Sequence, residues 1–171
     1  TPGDEPNVLV AMNAAALKAD LHRLEPGGTL IVNTDSFGER DLEKAEYTSN
    51  PLEDGTVNGY RVIPVAMTSI TKEACEPLGV KARDAERSKN FFALGLVSFM
   101  YTRPTEPTLE WIQERFGKNE MVAAANTAAF KAGFHYGETT EAVGHRFEVR
   151  PASLPAGEYT SITGNTALSA K

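Results

Sequence analysis

A chain of 171 residues, 41% hydrophobic and 23% charged, has the composition of one globular domain and is long enough to bury a core. Its net charge of −6 argues against nucleic acid and anionic membrane as main partners, and no apolar run nears the roughly 20 residues of a membrane span. The single cysteine, Cys75, excludes an internal disulfide and any iron–sulfur cluster or cysteine-rich zinc site held by this chain alone, and points to a reducing, cytoplasmic setting.

Asn7–Met12 is a short continuous apolar run, the mark of a buried parallel strand. Asn13 follows as an N-cap, and Ala14–Arg23 reads as a helix with Leu17 and Leu21 on one seam. Pro26-Gly27-Gly28 makes a turn, and Thr29–Asn33 is a second strand, so a right-handed βαβ crossover is expected. Residues 34–59 are polar, with a short helix over Glu39–Tyr47 and loops at Asn50-Pro51 and Glu53-Asp54-Gly55. Tyr60–Val65 is a third strand, whose Pro64 belongs at its end or on a sheet edge. Thr68 or Thr71 is expected to cap a helix over Lys72–Leu78, closed by Gly79.

A long helix is predicted over Ala82–Tyr101, charged in its first half and apolar all round in its second. Gly95 inside it calls for close packing on a neighbour. Asn90 falls in line with Leu94, Val97 and Tyr101, so it is either a cap or core amide with hydrogen-bond partners, or part of a ligand site with Ser88 and Lys89. Pro104 and Pro107 break that helix. Thr108 caps Leu109–Phe116, with Trp111, Ile112 and Phe116 as its apolar side. A last helix runs over Glu120–Ala132 and ends at Gly133, with Asn126 on the line of Val122 and Phe130. His135–Thr140 reads as loop, Arg146–Val149 as a strand, Pro151–Gly157 as an extended linker and Glu158–Asn165 as the entry to another domain. The start at Thr1 without methionine, and the stop at Lys171 without an end signal, lead us to expect a piece of a longer polypeptide.

The pattern predicts an α/β fold: a Rossmann-like, three-layer parallel sheet with flanking helices, cut short at its ends. Ligands in such sheets bind outside the carboxyl ends of the strands. Here those ends carry Asn13, Asn33-Thr34-Asp35-Ser36 and Thr68, which suit a nucleotide-like ligand and equally suit caps and turns. Neither a G-x-G-x-x-G nor a Walker phosphate loop occurs. His22, His135 and His145 are not at metal-ligand spacing and read as surface residues. No nucleophile elbow is present.

Several stretches resemble the 2-oxoacid:ferredoxin oxidoreductase family. Asn7–Lys18 looks like the central strand and helix of its gamma domain, and Gly27–Asn33 like the next strand. Lys89-Asn90-Phe91-Phe92-Ala93-Leu94-Gly95 resembles its Lys-Asn…Ala-Leu-Gly helix. Ala125-Asn126 followed by Ala132-Gly133 is similar to its last helix. Leu154–Tyr159 and Ile162–Leu168 look like the join to the thiamine-diphosphate pyrimidine domain. The resemblance implies a gamma domain over residues 1–149 lacking its N-terminal part, a linker over 150–157, and the start of the pyrimidine-binding domain over 158–171. Gamma domain first is the order of the alpha subunit in 2-oxoglutarate-specific members. The whole enzyme would then convert 2-oxoglutarate and CoA to succinyl-CoA and CO2, passing electrons to ferredoxin. Thiamine diphosphate, magnesium and an iron–sulfur cluster would be held elsewhere, in part by a beta subunit. On this segment the resemblance implies Asn13, Asn33, Lys89 and Asn90 as positions facing CoA or the active site, with Gly164 and Asn165 entering the thiamine domain. The competing reading is a non-catalytic α/β module that binds a nucleotide or a partner.

Overall fold

The computed structural model describes residues 5–144, 146–150 and 153–159. Three strands, β1 (Val8–Ala11), β2 (Thr29–Asn33) and β3 (Arg61–Val65), form a parallel sheet in the order β1-β2-β3. Thr29 registers with Val8 on one side and Arg61 on the other. The central strand β2 is buried at all five positions, as a strand covered on both faces must be. β1 and β3 are the edges of the described sheet. Consequently β1 is half-buried apart from Ala11, and Pro64 sits exposed on β3, where a missing N–H is tolerated.

Alternation along β2 separates two cores. Leu30 and Val32 join Ala11, Ala14, Leu17 and Phe37, under helices α1 (Ala14–Asp20) and α2 (Glu39–Lys44). Ile31 joins Ile63, Val65, Phe92, Leu96, Met100 and Ala129 on the opposite face. That second layer is built from α5 (Lys89–Met100) and α7 (Glu120–Thr139), with α3 (Met67–Cys75), the short α4 (Ala82–Ala85) and α6 (Glu106–Phe116) around them. The result is the expected three-layer α/β arrangement.

Several boundaries differ from the sequence reading, each for a physical reason. The helix after Asn13 gives way at Leu21–Arg23 to a 3₁₀ turn. Helix α3 starts at Met67, so Thr68 and Thr71 lie inside it. Its first N–H groups are met by side chains from the end of β2, and Thr71 Oγ1 donates to Met67 O at 2.6 Å instead of capping. A 3₁₀ turn over Glu76–Leu78 follows, and Gly79 closes it at φ 69, as expected. The long helix is interrupted by a 3₁₀ turn at Glu86–Ser88 and ends at Met100. Pro107 lies within the first turn of α6, where its lacking N–H is harmless. Trp111 on α6 is 48% exposed, its ring set against Phe91 and Phe116. Helix α7 continues through Gly133 and takes in His135–Thr139, which the sequence placed in a loop. Arg146–Val149 is not a strand. It is a segment tied to the end of α5, with Phe147 N–H donating to Met100 O at 2.6 Å and its ring stacked on Tyr101.

Helices α5 and α7 run parallel, because contacts advance together along both: Ser88 with Asn126, Gly95 with Phe130, Phe99 with Phe134. The Tyr101 hydroxyl donates to Asn7 Oδ1 at 2.9 Å, fixing the end of α5 at the start of β1. The start of α5 therefore lies toward the carboxyl ends of the strands. Among the described residues, no helix is long and apolar enough to cross a membrane.

Cys75 is wholly buried and its thiol faces Ala125 O at 3.7 Å. Burial pushes the thiol pKa up, which disfavours the reactive thiolate. Iodoacetamide is expected to leave Cys75 unmodified in the native protein and to label it fully after unfolding. Peptide mass spectrometry reads both states, and rapid native labelling would contradict the packing.

Candidate functional site

The carboxyl ends of the strands are closed by one amide. Asn33 is fully buried at the end of β2. Its Nδ2 lies within reach of Met12 O at 3.3 Å, Ser36 Oγ at 3.1 Å and Thr68 Oγ1 at 3.1 Å, and its Oδ1 accepts from Thr68 N–H at 3.4 Å. Asn33 thus joins the ends of all three strands and has no free surface to offer a ligand. Beside it, Asp35 accepts from Ser69 N–H at 2.8 Å and from Ser69 Oγ–H at 3.0 Å. A carboxylate on the first turn of α3 is favourable, since the helix N-terminus is its positive end. Asn13 is exposed, and its side chain accepts from Ala16 N–H at 2.8 Å, which makes it the expected N-cap.

Lys89 and Asn90 open α5. Lys89 is half-buried and pairs with Glu86 at 3.5 Å, while Lys72 reaches the same carboxylate at 3.1 Å. The hydrogen bond from Lys72, with the charges of both lysines, holds the Glu86 carboxyl below its ordinary range despite some desolvation. Asn90 is exposed, with Leu94 of the same face 41% exposed. The expected core amide at this position is therefore Asn126 instead. Asn126 is 4% exposed and takes a 2.7 Å hydrogen bond from Ser88 Oγ. Gly164, Asn165 and His145 lie outside the described residues, as does all of the predicted thiamine-domain entry beyond Tyr159. His22 and His135 are exposed, and His135 lies 3.2 Å from Glu138. Among the described residues, no group of His, Cys, Asp or Glu could hold a metal ion.

Ser88 and Asn126 form one wall of a cavity of about 450 Å³, which also takes in Lys81, Arg87, Met121 and Val122. It lies between the turn after Gly79, the 3₁₀ turn before α5 and the first turns of α7. Of the candidate residues named from sequence, Ser88 reaches this cavity, while Lys89 and Asn90 do not line it. Lys81 and Asn119 were missed. Asn119 carried a signal, being an asparagine directly before a helix start, and it does cap α7 by accepting from Val122 N–H at 3.3 Å.

Residues 1–136 match the family model described as pyruvate ferredoxin/flavodoxin oxidoreductase. The chain is 52% identical over 168 residues to the 2-oxoglutarate oxidoreductase subunit KorA of Mycobacterium tuberculosis. The match covers 98% of this chain and 26% of that protein, so the chain spans about a quarter of the length of this curated relative. Among solved structures, the fold is similar to that of 2-oxoglutarate:ferredoxin oxidoreductase from Magnetococcus marinus with 2-oxoglutarate, coenzyme A and succinyl-CoA bound. The TM-score is 0.59 at 24% identity, over 86% of this chain and 22% of that one, which is a likeness of fold.

Proposed function

The chain belongs to the pyruvate ferredoxin/flavodoxin oxidoreductase family, and from that premise we propose that it serves as the gamma domain of a 2-oxoglutarate:ferredoxin oxidoreductase alpha subunit. The observation that carries this reading is the 52% identity to the KorA subunit along 98% of the chain. The enzyme as a whole would oxidatively decarboxylate 2-oxoglutarate with CoA to succinyl-CoA and CO2 and pass the electrons to ferredoxin, in the cytoplasm and with a beta subunit. Residues 1–149 would be the gamma domain, 150–157 the linker and 158–171 the start of the thiamine-diphosphate pyrimidine domain, with Gly164 and Asn165 at its entry.

Thiamine diphosphate supplies the carbanion chemistry of such decarboxylations, and an iron–sulfur cluster carries the electrons. The described residues do not fit either group. The one cysteine is buried against Ala125, and no metal-ligating cluster exists to hold magnesium among these residues. The contribution proposed for this domain is to cover the active site and help hold CoA. Asn13, Lys89 and Asn90 are the carried-over positions with surface to offer. Lys89 brings an ammonium suited to phosphate, and the two amides bring paired donors and acceptors. Asn33 would act from beneath, by fixing the strand ends that such a ligand approaches.

The test is ferredoxin reduction by the full-length polypeptide co-purified with its beta subunit. Reduction is expected to require both 2-oxoglutarate and CoA, and to be much slower with pyruvate. Faster turnover of pyruvate would overturn the substrate assignment. No turnover of any 2-oxoacid by the cofactor-loaded complex would favour the non-catalytic binding module.

A further inference from the structure

We propose that the cavity beside Ser88 and Asn126 binds an organic phosphate. Asn126 is more than nine-tenths buried, and Ser88 Oγ–H engages its Oδ1 at 2.7 Å. Its Nδ2 has no protein partner among the described residues and is not sealed from solvent, so it opens on the cavity that the residue lines. An amide N–H2 that opens on a cavity wall is a ready donor to an acceptor oxygen of whatever fills it.

The rim selects for an anion. Lys81 is exposed and has no ion-pair partner among the described residues. Arg87 lies 3.4 Å from Asp84, which holds the guanidinium while leaving donors to spare. Lys81 and Arg87 against Asp84 leave one net positive charge at the cavity, in a chain whose net charge is −6. The 20-residue helix α7 begins at the same place, where Asn119 takes the Val122 N–H with its side chain and the Ala123 N–H with its carbonyl, and the helix adds its positive end to the rim.

The rest of the lining selects for an organic body on that anion. Met121 and Val122 are 50% and 39% exposed, and both border the cavity. Exposed large apolar side chains flanking a cationic rim give a shelf for an apolar or aromatic moiety. At about 450 Å³ the space is larger than inorganic phosphate needs and suits a small organic ligand.

The experiment is isothermal titration calorimetry on the full-length polypeptide with its co-purifying subunit, using CoA, ATP and inorganic phosphate as probes. Saturable binding of CoA or ATP is expected at this site, much tighter than that of inorganic phosphate and weakening as salt is raised. Binding of CoA alone would identify the ligand as the substrate's own phosphates, and binding of ATP without CoA would identify a separate effector. Lys81→Ala is expected to raise Kd roughly tenfold, the scale of one charge-assisted hydrogen bond, and Lys81→Arg to keep it within about twofold. Asn126→Leu should abolish binding. Should that variant fail to fold, the Lys81 pair still decides. No saturable binding of either organic phosphate, or affinity unmoved by Lys81→Ala, overturns the proposal. Binding is read directly and not through turnover, so failure here is distinct from failure of the 2-oxoacid reading.

Discussion

Gly133→Ala is expected to destabilise the protein by about 3 kcal/mol, although in an exposed helix the same change would stabilise by about 1 kcal/mol. A Cβ at position 133 would stand 1.9 Å from Phe92 O, and one at Gly95 would stand 2.0 Å from Phe130 O. These are reciprocal approaches of two helix backbones, and a backbone carbonyl cannot rotate aside. The only relief is to part α5 from α7, which loosens Phe92, Leu96, Met100 and Phe130, all of them fully or almost fully buried. Urea unfolding measures the loss. Gly137→Ala is the control, since its Cβ would meet only the Phe99 side chain, which has rotamers to move to, and a smaller loss is expected. Gly95→Ala combined with Gly133→Ala should fall short of the sum, because the first substitution already opens the crossing that the second would clash with. A Gly133→Ala variant as stable as the parent would mean that the helices do not cross this closely.

The same crossing separates what the sequence discloses from what it does not. Gly95 stands in a run of apolar residues, so a tight neighbour was the natural expectation. Gly133 follows an alanine-rich stretch, where a glycine signals a helix end as readily as a contact. Only its partner Phe92, 41 positions earlier, tells the two apart. The strands and the two-faced core followed from apolar runs and alternation, which are local signals. The cap of α3 did not, since its acceptors Asn33 and Asp35 come from the end of another strand. Thr68 and Thr71 looked like caps because local pattern credits the nearest hydroxyl. At the candidate site, helical spacing correctly singled out Asn126 as in line with the core. It also singled out Asn90, which is exposed, because α5 is apolar on nearly every side and spacing alone cannot choose the inward one. The family resemblance did carry through, because it rests on ordered stretches along the whole chain and not on any one face.

Asn33→Ala is expected to cost about 3 kcal/mol, and the pattern of losses distinguishes a structural clasp from a ligand-facing amide. In a ligand-facing role the substitution would leave stability near the parent value and weaken CoA affinity alone. The geometry calls for the opposite order. The Asn33 amide is the shared partner of Met12 O, Ser36 Oγ and both the hydroxyl and the N–H of Thr68. A net hydrogen bond is worth about 1 kcal/mol, and a buried group left without its partner costs about 1–3 kcal/mol. Several such groups are orphaned together here, with β2 fully buried around them. The first turn of α3 should then fray, and amide exchange at Thr68 and Ser69 should accelerate ahead of exchange in the α5 core. Asn33→Asp keeps the size but sets a carboxylate oxygen toward Met12 O, which can only accept, so it should be at least as damaging as alanine. Unchanged unfolding midpoints and unchanged exchange at Thr68 would refute the clasp. Loss of both, with CoA affinity restored wherever the fold is stabilised, would show that Asn33 serves the site only by holding the ends of the three strands together.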